Sequence, residues 1–163
     1  MFRIGDTVVY GNSGVCRITD LREEKMGPVK QTYYVLQPLK DPRSTFYCPL
    51  AREDKLRPLL TEEQLHALIQ QMPEEETVWI PEEGRRREQF NAMLKSGDHR
   101  QLIRLIKTLF LQRQEREAAG KRLHLSDQRI LEEAEQVLYG EFAQVLDISP
   151  EQVVNYINEE LTK

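Results

Sequence analysis

The side chains best suited to chemistry in this chain are the cations between residues 84 and 122. That block carries eleven Lys/Arg against four Asp/Glu, opening with Arg85-Arg86-Arg87 and continuing through Arg100, Arg104, Lys107, Arg113, Arg116, Lys121 and Arg122. Guanidinium and ammonium groups at this density can replace the counterions of a polyanion and hold its phosphates. The competing reading is a solvated helical face tied by pairs four residues apart, such as Arg113 with Glu117. Four carboxylates cannot pair eleven cations, so phosphate binding is the stronger reading. Residues 123–163, with nine acids against two bases, are the segment that could still neutralise the block. The overall charge of −4 conceals this segregation.

Other chemistry is sparse. His66, His99 and His124 are scattered over expected helices without the spacing of metal ligands or of a proton relay. The sequence has no nucleophile elbow, phosphate loop, dinucleotide fingerprint or paired-carboxylate signature, so no enzyme is expected and no cofactor or metal is called for. Cys16 and Cys48 fall in expected strands and read as apolar filler, buried thiols of a reducing compartment. Glu74-Glu75-Glu76 reads as a solvated charge run. Trp79, the one tryptophan, has two readings. Between Val78 and Ile80 it could plug the groove between two parts of the chain. Alternatively it could stand as an aromatic wedge against a distorted base step. Packing is the preferred reading.

The elements that must position these residues change type near residue 60. Thr7 to Tyr10 and Val15 to Thr19 are β-branched runs around Gly11-Asn12-Ser13-Gly14, a hairpin signal. The second strand continues past Leu21 toward Lys25, and Met26-Gly27-Pro28 marks a turn. Lys30 to Leu36 is a third strand with Tyr33 and Val35 on one face and Tyr34 and Leu36 on the other. Ser44 to Cys48, ended by Pro49, is a fourth, and Leu56 to Leu59 a fifth. Five short strands in some sixty residues predict a small bent barrel of the SH3 or Tudor kind.

Thr61-Glu-Glu-Gln64 is a capping box opening a short helix toward Met72, and Pro73 to Glu76 reads as a linker. Further helices are expected over Arg85 to Lys95, from Asp98 to about Ala119, after Ser126, and from Ser149-Pro150. In the second of these, Leu102, Leu105, Ile106, Leu109 and Phe110 form an apolar stripe, with Arg100, Arg104 and Lys107 opposite. Ile130, Ala134, Val137, Leu138 and Val145 form the inward face of the next. The fold class is therefore α+β, a five-stranded barrel followed by a compact all-α domain of about four to five helices. The expected division is 1–60 barrel, 61–82 helix and linker, and 83–163 helical domain.

Composition agrees with a globular chain: 163 residues, 39% hydrophobic and 31% charged. No apolar run approaches the length of a membrane span and the start lacks a signal-peptide core, so a cytoplasmic protein with no membrane contact is expected.

Gly5-Asp-Thr-Val-Val-Tyr10, the glycine turn and the second strand resemble the opening of the CarD/CdnL family of bacterial transcription regulators. They are also similar to the polymerase-interacting module of transcription-repair coupling factors. The resemblance continues through Gln31 to Leu36, Phe46 to Pro49 and Leu94-Lys-Ser-Gly-Asp98. It implies a Tudor-like module docking on the RNA polymerase β subunit through positions near Glu24 and Tyr47; Lys25, Arg43 and the strand edge ending at Pro49 are expected to complete the contact with Tyr47. It also implies a helical domain contacting promoter DNA at the upstream edge of the bubble without reading sequence, and so stabilising the open complex. Trp79, Arg85, Arg86, Arg87, Arg100, Arg104 and Lys107 are the expected DNA-binding residues. Two departures stand out. The family's tryptophan position corresponds to Glu83, four residues after Trp79. The positions near Glu24 and Tyr47, where the family presents basic groups, are not basic here. A monomer is expected, associated with the nucleoid through polymerase. The alternative is a polymerase-binding adaptor that never touches DNA, its basic face neutralised by the acidic C-terminal helices.

Overall fold

A computed structural model describes residues 1–25 and 27–163, so the part of the second turn signal that falls on Met26 lies outside the described residues. The chain divides into two compact units, Met1–Leu59 and Leu60–Lys163.

The first unit is one antiparallel sheet: β1 (Thr7–Tyr10), β2 (Val15–Lys25), β3 (Lys30–Pro38), β4 (Phe46–Pro49) and β5 (Leu56–Pro58), in the order β4-β3-β2-β1-β5. The β1–β2 hairpin closes through a 3-10 turn at Gly11–Ser13, where Gly11 and Gly14 adopt φ of 50° and 82°, angles that side chains disfavour. The β2–β3 register shifts between Ile18 and Asp20, so a bulge at Thr19 adds the bend that curls the sheet. Curling encloses Val8, Cys16, Ile18, Tyr34, Leu36, Cys48 and Leu56. Tyr33 and Val35, on the opposite face of β3, are buried as well, with Tyr47 and Pro49 of β4 as their cross-strand neighbours. β4 starts two residues later than the sequence predicts. Ser44 is held in a turn by Asp41, its N–H donating to the Asp41 carbonyl and its hydroxyl to the carboxylate. Such local bonds compete with the strand ladder.

The second unit contains α1 (Glu62–Gln71), α2 (Glu83–Ser96), α3 (His99–Ala118), α4 (Leu125–Leu146) and α5 (Val153–Leu161). Thr61 forms the expected capping box with Gln64 on α1. Glu82 caps α2 by accepting from the N–H groups of Gly84 and Arg85, which starts that helix two residues before Arg85. Gly97, at φ 66°, ends it, and Asp98 caps α3. A second capping box, Ser149 with Gln152, opens the 3-10 turn before α5. All five helices contribute to one core, including Leu65 and Ile69 of α1, Phe90 of α2, Leu105 of α3, Phe142 of α4 and Ile157 of α5. Each buried leucine or isoleucine there is worth about 1.5–3 kcal/mol relative to exposure.

Two expectations are corrected. Phe110 lies outside the apolar stripe and is 44% exposed, because Leu102, Leu105 and Leu109 already fill the buried face and the next residue turns 100° away. The segment after α1 is not a solvated linker: Met72–Glu74 is a 3-10 turn and Glu75 is only 8% exposed.

Candidate functional site

In the sheet unit the candidate surface is β4 and the face beside it. β4 pairs with β3 on one side only, so its other edge carries backbone groups open to a partner strand. Tyr47 meets Tyr33 edge-to-face, with ring centroids 6.2 Å apart and planes at 89°. Arg22, opposite Tyr33 across the β2–β3 ladder, is held by Asp20 at 3.0 Å. Its positive charge is further favoured by the Asp20 hydrogen bond and by proximity to Tyr47. Arg22 was not singled out from sequence; only the register puts it against the tyrosine pair. Pro49 ends β4 opposite Tyr33. Lys25 and Arg43 are both exposed, but Lys25 lies at the hairpin end of β3 and Arg43 beyond its other end. The nine residues of β3 lie between them, about 30 Å of strand at 3.3 Å per residue. A partner touching both must run along the sheet.

In the helical unit the cations divide into committed and free. Arg86 is 2% exposed. Its Nε and Nη2 donate to the Asp127 carboxylate at 3.0–3.2 Å, and its Nη1 donates to the carbonyls of Ile80 and Pro81 at 3.1 and 3.2 Å. Its guanidinium carbon lies 4.5 Å from the centre of the Trp79 ring, which also packs beside Phe90 at 6.3 Å. Arg86 is therefore removed from the expected DNA-binding set: a buried, fully bonded fork cannot reach a phosphate. Trp79 is partly buried, and both of its ring neighbours belong to the helical unit.

Arg100, Arg104 and Lys107 share one face of α3 as expected, but the segment after α1 lies along them. Arg100 Nε and Arg104 Nε donate to the two oxygens of Glu75 at 2.9 and 3.0 Å. Lys107 Nζ donates to the carbonyls of Met72, Pro73 and Glu75 at 2.7–3.2 Å, using all three of its protons. The bonds from Arg100 and then Arg104 hold the Glu75 carboxyl below its usual range. Val78 N–H donates to Thr108 Oγ1 at 3.0 Å, tying the segment down again. Sequence reasoning missed Glu75 and Asp127 as the partners. Glu75 carried no distinguishing signal within its acidic run.

Arg87 pairs with Glu83 one turn earlier, both about half exposed. Arg85 is exposed and, among the described residues, its guanidinium has no carboxylate partner. In the last turn of α3, Arg116 donates to the Arg122 carbonyl at 3.3 Å, and Arg113, Glu117, Lys121 and Arg122 line an open concavity of about 480 Å³. The histidines stay apart: His66 meets Tyr156 and Glu160, His99 meets Glu141 at 2.8 Å, and His124 lies by Arg116. Among the described residues, no three His, Cys, Asp or Glu are grouped to hold a metal.

Two family models together cover nearly the whole chain. Residues 2–60 match the CarD-like/TRCF RID domain and residues 64–158 match the CarD C-terminal domain. The chain belongs to the CarD family. A search of curated protein sequences returned no match. CarD-family membership makes this an RNA polymerase-interacting transcription regulator, of a family of transcription factors rather than of enzymes. In this CarD-family chain the match to the CarD-like/TRCF RID domain coincides with the sheet unit. The CarD C-terminal match spans all the cations just described.

Proposed function

We propose that the sheet unit docks on the RNA polymerase β subunit by adding a strand of the partner to β4. Tyr47, Tyr33 and Arg22 would grip the adjoining face, with Lys25 and Arg43 at its two ends. We further propose that the helical unit lays the free cations of α2 and of the α3–α4 turn on promoter DNA at the upstream edge of the bubble. Tethering supplies a weak DNA surface at high effective concentration. A surface that prefers opened to closed duplex shifts the equilibrium to the open complex by that difference in affinity. The observation that carries the DNA reading is the partner-free Arg85 at the start of α2, together with Lys121 and Arg122 in an open concavity. The division 1–60 and 83–163 between these tasks belongs to the same proposal.

The adaptor reading has one observation in its favour: Arg86, Arg100, Arg104 and Lys107 are engaged inside the unit. Salt titrations separate the two. Replacing Arg85, Lys121 and Arg122 by Ala should lower the slope of log K against log salt on forked DNA by up to about three, with polymerase binding retained. An unchanged slope, or no DNA binding by the parent, favours the adaptor. Tyr47→Pro, which bends and blocks the β4 edge, should abolish capture of the β subunit.

A further inference from the structure

Phe110 on α3 and Val154 on α5 are 44% and 45% exposed, and both border a cavity of about 350 Å³ between α3, α4, α5 and the turn after α1. The floor of the cavity is apolar: Ile103, Leu138 and Ile157 are each at most 8% exposed and belong to the core of the helical unit. At the mouth, the Arg113 guanidinium carbon lies 5.5 Å from the centre of the Phe110 ring and steadies it. Apolar groups kept at the rim of a hollow forgo a burial that an occupant would restore. An apolar hollow of this size with a few polar groups is the usual form of a small-molecule site.

Two polar side chains line the cavity without partners. Neither the Tyr139 hydroxyl nor the Asn158 side-chain amide has a hydrogen-bond partner among the described residues. Burial pushes the Tyr139 phenol up to about 12, so at neutral pH it keeps its proton and donates. Charge, in contrast, is spent. Lys107, the lining cation, gives all three protons to backbone carbonyls. Glu135 and Arg113, the charges acting on the phenol, are opposite in sign.

We propose that this cavity binds a small neutral ligand with an apolar body and hydrogen-bonding groups for Tyr139 and Asn158. The body lies on Ile103, Leu138 and Ile157 under the Phe110 ring. None of the free cations in the DNA reading lines the cavity, so the site stands apart from that reading.

Octanamide, an apolar chain with a neutral head that donates and accepts, tests the site on the full chain. In methyl NMR spectra it should shift Ile103, Leu138 and Ile157 and leave Val8 and Ile18 of the sheet unit unmoved. Octanoate, the same chain with a charged head, should bind about tenfold more weakly or worse, because its charge finds no partner. Tyr139→Phe, which removes only the hydroxyl, should weaken octanamide about threefold to tenfold, the scale of one hydrogen bond. Val154→Trp, at an exposed helix position, should cover the mouth and abolish the shifts while circular dichroism stays that of the parent. Unmoved methyls in the parent, or equal binding by Val154→Trp, would overturn the site. Equal binding of octanoate would overturn the neutral class, and unchanged affinity in Tyr139→Phe the polar contact. Shifts of these methyls that appear instead on concentrating the protein alone, or only on adding RNA polymerase, would put a second copy or a partner protein in the groove and overturn the proposal as well.

Discussion

Single side chains in this protein are governed by whether their polar groups found partners. Glu75 found two arginines, and its carboxyl is held below its usual range first by Arg100 and then by Arg104. A carboxyl depressed in the folded state stabilises the fold fully above its ordinary range and loses that contribution as pH falls through its lowered value. Acid titration of the parent, followed by circular dichroism, should therefore show stability falling below pH about 4.5. Glu75→Gln should flatten that part of the curve and lower stability at pH 7. At Asp127 the expected effect is larger. Asp127→Ala leaves the Arg86 charge buried and should cost about 3–5 kcal/mol, while Arg86→Met/Asp127→Leu should recover most of it; urea melts measure both. The thiols follow another rule. Burial pushes Cys16 up to about 11 and raises Cys48, so thiolate is scarce at neutral pH. A thiol reagent should label neither in the native protein and both in denaturant.

Among the elements, ends and faces decide. The Thr61–Gln64 capping box satisfies two backbone N–H groups in opposite directions at 3.0–3.1 Å. Thr61→Ala should cost about 1 kcal/mol, read from the shift in urea midpoint at unchanged slope. The α3 stripe provides a sharper contrast. Leu109→Ala opens the core and should cost about 2–5 kcal/mol. Phe110→Ser, one residue on, should cost clearly less than Leu109→Ala because Phe110 is 44% exposed and lies outside the buried face. Equal losses at the two positions would mean that the buried face of α3 is misassigned. In the sheet, the bulge at Thr19 and the local Asp41–Ser44 turn explain why β2 bends and β4 is short.

At the scale of the molecule, the net charge of −4 is unevenly distributed, with eleven cations against four acids over residues 84–122 and nine acids against two bases over 123–163. The helical unit has its own core drawn from all five helices, and the sheet unit has another. We expect the two cores to respond separately to damage. Leu105→Ala should speed amide exchange throughout the helices while β2 and β3 keep their protection, measured by hydrogen–deuterium exchange. Loss of protection in both would mean that the polymerase-interacting module needs the helical unit to fold.

Local signals in the chain determined the strands, the helices, most of their ends and the inward positions of α4. They are written at short range: alternation in β3, capping boxes at Thr61 and Ser149, and glycine at Gly97. The family, too, was legible from motif order alone. Charge pairing was not, because it joins residues far apart in sequence. Arg86 meets Asp127 41 residues away, and Arg104 meets Glu75 29 residues back. No periodicity encodes such a pair. Composition counted eleven cations in one block, but only packing decided which are buried forks, which hold a backbone turn, and which remain open to a phosphate.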